Sequence, residues 1–274
     1  MAKTLTIEGL VEKILGYAPD SDTEIVRLAY EFAKDAHEGQ TRRSGEPYIT
    51  HPLAAAHILA DIRIDPVIVT ATLLHDVPED TEVTLEDIEK NFGSDIASLV
   101  RGITKLGKLK YRGVERYIEN LRKMFVAMAE DARVMLIKFA DRVHNLTTLG
   151  SLPPQKQYRI ALESLEIYAP IAGRLGIAEM KGQLEDLSFR YVYPKEYARV
   201  KNIRTEKLQG KEGYIDTVRT HAKEEIASAG VTICSIEGRE KRLFSFYQKL
   251  IRKDNKMARI YDLVAIRIIV PSVA

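Results

Sequence analysis

Apolar residues recur at helical spacing along most of the chain, and glycine, proline and short polar clusters separate the stretches that carry them. After a short amphipathic segment at the amino terminus, this pattern predicts helices over 23–38, 53–60, 65–76, 84–92, 95–104, 114–130, 132–149 and 155–173. Pro194 opens a further charged helical region, broken at Gly210 and Gly213 before a helix at 214–229. Beyond Gly230 the pattern changes. VTICSIEGR (231–239) and IYDLVAIRIIV (260–270) have the branched, apolar character of strands, and KRLFSFYQKLIRK (241–253) between them reads as a helix. The expected fold class is mainly α: an all-helical domain followed by the first elements of an α/β unit.

Candidate chemistry concentrates at the end of the 65–76 helix. Pro66 suits a first helical turn, an apolar run follows to Leu74, and the stretch LLHDVPEDT (73–81) then places His75 beside Asp76. Pro78 disfavours helix at Val77, which ends the run just after the doublet. Two further segments offer matching donors, His51 in YITHP (48–52) and Asp141 in KFADRVHN (138–145). Imidazole and carboxylate groups from three segments suit one transition-metal ion with positions open to water and substrate. The doublet alone also fits a hydrogen-bonded helix end.

Asp141, His144, Asn145 and Thr148 fall at i, i+3, i+4 and i+7, one polar stripe on a helix whose other faces carry Leu136, Phe139, Val143 and Leu146. Such a stripe is either a solvated face or the lining of a cleft; apolar residues on the other faces favour the cleft, in which His144 is expected to support the site more than to ligate. Glu79 and Asp80 follow the doublet closely enough to serve a water molecule, or they are cap acids for a helix starting near Thr84, with Thr81 a candidate cap.

Composition narrows the setting. The 274 residues are 45% hydrophobic, enough for a sizeable core and two units. A net charge of +2 implies no global attraction to nucleic acid or membrane. One cysteine, Cys234, rules out an internal disulfide framework or a cysteine zinc cluster, and no leader or membrane-length apolar run is read, so a cytoplasmic location is expected.

HEGQTRRSGEPYITHP (37–52), LLHDVPEDT (73–81), ENLRKMFVAMAEDARVMLIKFADRVHNLTTL (119–149) and LPPQKQYRIALESLEIYAPIAGRLGI (152–177) closely resemble RelA/SpoT-type alarmone hydrolase/synthetases. The resemblance runs from about residue 20 to the end of the chain. It implies an HD-superfamily domain over 1–195 that removes pyrophosphate from the 3′ position of ppGpp or pppGpp, giving GDP or GTP. It implies manganese held by His51, His75, Asp76 and Asp141; the mixed carboxylate and imidazole donors by themselves fit manganese well and also admit iron, zinc or magnesium. It assigns Glu79 and Asp80 to the attacking water, Arg42, Arg43 and Ser44 to the guanine end of the substrate, and Asn145 and Thr148 to the nucleoside. Lys105 and Lys108 are weaker phosphate candidates. Three positions depart from the family pattern: Pro78 stands for a branched aliphatic residue, Thr147 for an arginine and Gly173 for a histidine.

The same resemblance reads 196–230 as a helical linker and 231–274 as the opening of a nucleotidyltransferase-like synthetase. Arg239, Lys241 and Lys249 match positions that handle ATP phosphates, and Asp262 matches a magnesium-binding aspartate. The synthetase is expected to be incomplete in this sequence, and any ribosome partner to act through regions outside it. Two rival readings are an alarmone-binding regulatory module with weak turnover and an HD phosphohydrolase of another nucleotide.

Overall fold

The computed structural model describes residues 5–107, 114–208, 213–256 and 264–272. They form two compact units, Met1–Leu187 and Ser188–Ala274. The first is helical: α1 (Ile7–Tyr17), α2 (Glu24–Ala36), α3 (Thr50–Asp61), α4 (Pro66–Leu73), the short α5 (Val77–Asp80), α6 (Leu85–Gly107), α7 (Val114–Glu130), α8 (Arg133–Thr147), α9 (Pro154–Glu163) and α10 (Ala169–Arg174). Helix α11 (Ala178–Val192), which the apolar pattern did not single out, crosses the division.

Helix α4 organises this unit. Asp65 caps it by accepting from the Val67 N–H at 2.8 Å, and Pro66 occupies its first turn. Ile68 through Leu73 are all buried, as expected of a helix apolar on every side. Its two buried hydroxyls, on Thr70 and Thr72, donate back to the Pro66 and Ile68 carbonyls at 2.8 and 2.7 Å, so neither is stranded. Helices α2, α3, α6 and α8 pack around α4, and α3 also packs on α8. That arrangement brings the start of α3, the end of α4 and the middle of α8 to one place.

Several boundaries differ from the predicted ones. Helix α4 stops at Leu73, so His75 and Asp76 lie in a turn, and Pro78 opens the helical turn α5 instead of excluding helix at Val77. The predicted helices 84–92 and 95–104 are the two arms of α6, and the break expected between them falls where Gly93 leaves helical geometry at φ 83°, a conformation that favours glycine. Thr84 and Asp87, and not Thr81, form its cap: the Asp87 N–H donates to Thr84 Oγ1 and the Thr84 N–H to Asp87 Oδ2. The predicted 155–173 helix is interrupted by a π-helical turn, Ser164–Tyr168.

A close approach sets the spacing of α6 against α8. A Cβ added at Gly102 would stand 2.6 Å from Cγ2 of the buried Val134. Alanine gains roughly 1 kcal/mol of helix propensity over glycine, but overpacking a filled core costs about 1–3 kcal/mol. Gly102→Ala is therefore expected to lower the melting temperature, and adding Val134→Ala to relieve the clash. An unchanged or raised melting temperature for Gly102→Ala would show that Val134 yields freely.

In the second unit, α12 (Pro194–Leu208) packs on α14 (Leu243–Arg252), and α13 (Tyr214–Ser228) packs on the strands β1 (Ser235–Glu240) and β2 (Val264–Ile269). Helices α12 and α13, the described parts of the expected helical linker 196–230, pack within this second unit. The strands pair antiparallel, Ser235 opposite Ile269 and Glu240 opposite Val264. Phe189 and Phe246 are fully buried here, and the Phe189 ring meets Phe244 and Tyr247 at centroid distances of 5.3 and 4.9 Å. Asp262 and Lys108 lie outside the described residues, as does the side chain of Arg239.

Candidate metal centre and adjoining cleft

His75 emerges just past the end of α4, where helix carbonyls lack intrahelical partners. Its Nδ1 lies 2.7 Å from the Thr72 carbonyl, so Nδ1 carries the proton and donates, leaving Nε2 as the free donor atom. That Nε2 is buried without a hydrogen-bond partner and stands 3.1 Å from Asp76 Oδ1. His51, in the first turn of α3, points its Nε2 to within 3.3 Å of Asp141 Oδ1 and 3.5 Å of Asp76 Oδ2. Ligand atoms of His51, His75 and Asp141 all lie within 4.8 Å of one another. Two imidazole nitrogens and two carboxylates around one buried point, with an orphaned nitrogen aimed into it, fit a divalent cation. The sequence-predicted set of His51, His75, Asp76 and Asp141 is brought together.

The ligand candidates are held from behind. His51 Nδ1 meets His144 Nδ1 at 2.7 Å, which orients the imidazole, in keeping with the supporting place expected of His144. Burial, then His51 and Arg42, push the His144 imidazole down to about 3, so it is neutral at physiological pH. Burial likewise lowers His51 against the pull of Asp141, favouring the neutral form that can ligate. Asp141 accepts from Lys138 Nζ at 2.8 Å through Oδ2 and from the Asn145 side-chain amide through Oδ1. Burial alone would raise its carboxyl, but Lys138 and His51 outweigh that and hold it well below the ordinary carboxylate range.

Helix α5 holds the proposed water-handling acids. Glu79 is half-buried, and burial raises its carboxyl above the usual range, partly offset by Lys138. Asp80 is exposed, and its carboxylate accepts from the Tyr48 hydroxyl at 2.6 Å.

Beside the donor set opens a cleft of about 490 Å³, all within the first unit. Arg42, Arg43, Ser44, Asn145 and Thr148 line it together with Asp141, so the predicted substrate contacts and one ligand candidate share one space. Arg42 and Ser44 sit in a tight loop closed by the Arg42 N–H donating to the Glu46 carbonyl at 2.9 Å, and Gly45 takes φ 88° there. Arg42 also donates to Asn145 Oδ1 at 2.7 Å, joining that loop to α8. Sequence reasoning missed Tyr48, Lys138, Arg142 and Arg159 on the cleft wall. Lys138 stands at i−3 from Asp141, a spacing that by itself reads as a solvated helix charge; Arg142, half-buried 3.5 Å from Glu163 and stacked 4.2 Å over Tyr168, carries no signal in the sequence. Lys105 is not in the site: its Nζ pairs with Glu130 on the surface at 3.0 Å. Thr147 is exposed and donates to the His144 carbonyl, away from the cleft lining.

A helical fold that gathers histidine and aspartate in this way defines a class, and residues 29–178 match the family described as HD domain. The chain belongs to that family, and within it to the RelA/SpoT proteins. It is 47% identical over 264 residues to the bifunctional (p)ppGpp synthase/hydrolase SpoT of Escherichia coli (strain K12), across 96% of this chain. It is 48% identical over 242 residues to the guanosine-3′,5′-bis(diphosphate) 3′-pyrophosphohydrolase of Haemophilus influenzae, and 43% identical over 270 residues to the GTP pyrophosphokinase of Streptomyces coelicolor. These alignments cover 88% and 97% of this chain. The chain spans 38%, 36% and 32% of the length of these three curated relatives. Among solved structures, a metazoan ortholog of SpoT described as hydrolysing ppGpp aligns with a TM-score of 0.50 at 26% identity, covering 62% of this chain and 96% of that one. Among the described residues no helix is long and apolar enough to cross a membrane.

Proposed function

We propose that the first unit hydrolyses the 3′-pyrophosphate of ppGpp or pppGpp, releasing GDP or GTP and pyrophosphate, with manganese as its metal. The observation that carries this reading is the cluster of His51, His75 and Asp141, with Asp76 beside both imidazoles, bordering a cleft in which five cationic side chains face two carboxylates. Arg42, Arg43, Lys138, Arg142 and Arg159 against Asp141 and Glu163 suit a polyanionic nucleotide. The relatives named as 3′-pyrophosphohydrolases act on such a molecule.

His51, His75, Asp76 and Asp141 would hold the cation, which supplies an activated water and offsets charge on the attacked phosphorus. Glu79 accepts the proton of that water, and Asp80 steadies the segment from which it acts. Arg42, Arg43 and Ser44 hold the guanine end, while Asn145 and Thr148 hold the nucleoside. The reaction belongs to stringent-response alarmone turnover in the cytoplasm. In the longer relatives, the segment carrying Arg239, Lys241, Lys249 and Asp262 would open a magnesium-dependent synthetase, with any ribosome contact made elsewhere.

Incubation of the chain with manganese and ppGpp tests the reading, with products resolved by anion exchange. GDP and intact pyrophosphate are expected. Tight binding without products would make the cleft a sensor, and neither binding nor products would assign it another nucleotide; both overturn the proposal.

A further inference from the structure

Tyr48 is the side chain through which the candidate metal centre touches the segment bearing Glu79 and Asp80. Its hydroxyl lies 2.9 Å from Asp76 Oδ2 and 2.6 Å from Asp80 Oδ2. A phenol has one proton, so it donates to one of these carboxylates at a time. The ring cannot swing away easily. It stacks on the buried His37 at a centroid distance of 4.4 Å and 18° between planes, and the Arg42 guanidinium lies 5.6 Å from its centre. His37 is in turn tied to Gln40 at 2.9 Å, and the Gln40 amide donates to the backbone carbonyl of Asp80 at 2.9 Å. Side chains of the 37–48 stretch therefore grip Asp80 twice, once at its main-chain carbonyl and once at its carboxylate, and the second grip is shared with a ligand candidate.

We propose that Tyr48 is a positioning residue that aligns Asp76 for the cation and couples its engagement to the placement of Asp80. With Asp76 drawn toward a cation, the hydroxyl is left to donate to Asp80, which fixes α5 and with it Glu79. This inference rests on the hydrolase reading for its kinetic part, but its metal part stands without any substrate.

Tyr48→Phe keeps the ring on His37 and removes only the hydroxyl. Titration of the metal-free protein with manganese alone is expected to show affinity weakened about 10- to 100-fold, the range typical when a group orienting a ligand is lost. With ppGpp, kcat should fall by a similar factor while KM stays within about twofold, because the ring remains on the cleft wall and the hydroxyl that is lost was turned to Asp76 and Asp80. On an Asp80→Asn background the further loss in kcat from Tyr48→Phe should shrink, since the two groups act through one hydrogen bond. Parental manganese affinity and kcat in Tyr48→Phe, or losses that multiply in full with Asp80→Asn, would overturn the proposal. Should Tyr48→Phe fail to fold, Gln40→Ala loosens the second grip at a half-buried position: lowered kcat at unaltered manganese affinity supports the coupling, and parental kcat overturns it. A parent that binds manganese but leaves ppGpp intact refutes the hydrolase reading alone, with the Tyr48 effect on manganese affinity still decisive for this one.

Discussion

Asp76→Ala is expected to strip the protein of bound manganese and reduce ppGpp hydrolysis to background while the helical fold survives. Burial decides why this position is the clean test. Asp76 lies in the turn between α4 and α5 with its side chain 20% exposed, and that side chain caps no helix. The turn itself is held by main-chain bonds, the Glu79 and Asp80 N–H groups donating to the Asp76 carbonyl at 3.1 and 3.0 Å, and alanine keeps those. Asp141 is the opposite case. Its carboxylate is 9% exposed and is the charge that balances Lys138 at 2.8 Å. Breaking a buried pair from one side costs about 3–5 kcal/mol, so Asp141→Ala would confuse lost metal with lost stability. Metal analysis, a far-ultraviolet melt and product release on Asp76→Ala separate the two. A folded Asp76→Ala protein with full metal content and turnover would remove Asp76 from the site.

How much of the fold and site is legible in the sequence follows from what each feature depends on. Helices α2, α3, α6 and α8 follow from apolar spacing within one segment, and the set of His51, His75, Asp76 and Asp141 from their residue types in three segments read together with the family resemblance. Tyr48 was not legible, because its partners stand 28 and 32 residues away and its own neighbourhood reads as an ordinary loop. Lys138 reads from sequence as a solvated helix charge; only the packing of α8 against α3 and α4 shows it half-buried against Asp141. The π-helical turn at Ser164–Tyr168 shifts a hydrogen-bond register without changing composition, and the unit division at Leu187 falls inside a continuous helix, where no glycine or proline marks it. Features set by local periodicity, and donor types that a family resemblance brings together, were readable; pairings set only by contacts across the chain were not.

Glu79→Gln should cost hydrolysis about a hundredfold to ten-thousandfold, the usual worth of a positioned proton acceptor, with manganese content and ppGpp binding retained. Two carboxylates on α5 compete for the part, and their surroundings separate them. Asp80 is exposed and already accepts from the Tyr48 hydroxyl at 2.6 Å, which occupies one of its oxygens. The Glu79 carboxylate accepts no hydrogen bond among the described residues, is half-buried, and has its proton affinity raised by that burial, which brings it closer to the strength a base needs near neutral pH. Glutamine preserves length and polarity but cannot take the proton, so the loss should fall on kcat and leave KM nearly unchanged. Asp80→Asn should cost less, because it removes an anchor and not the acceptor. Single-turnover hydrolysis on manganese-loaded protein measures both variants directly. If Glu79→Gln stays within about twofold of the parent while Asp80→Asn loses more than a hundredfold, the acceptor is Asp80 and the hydrogen bond from Tyr48 tunes it.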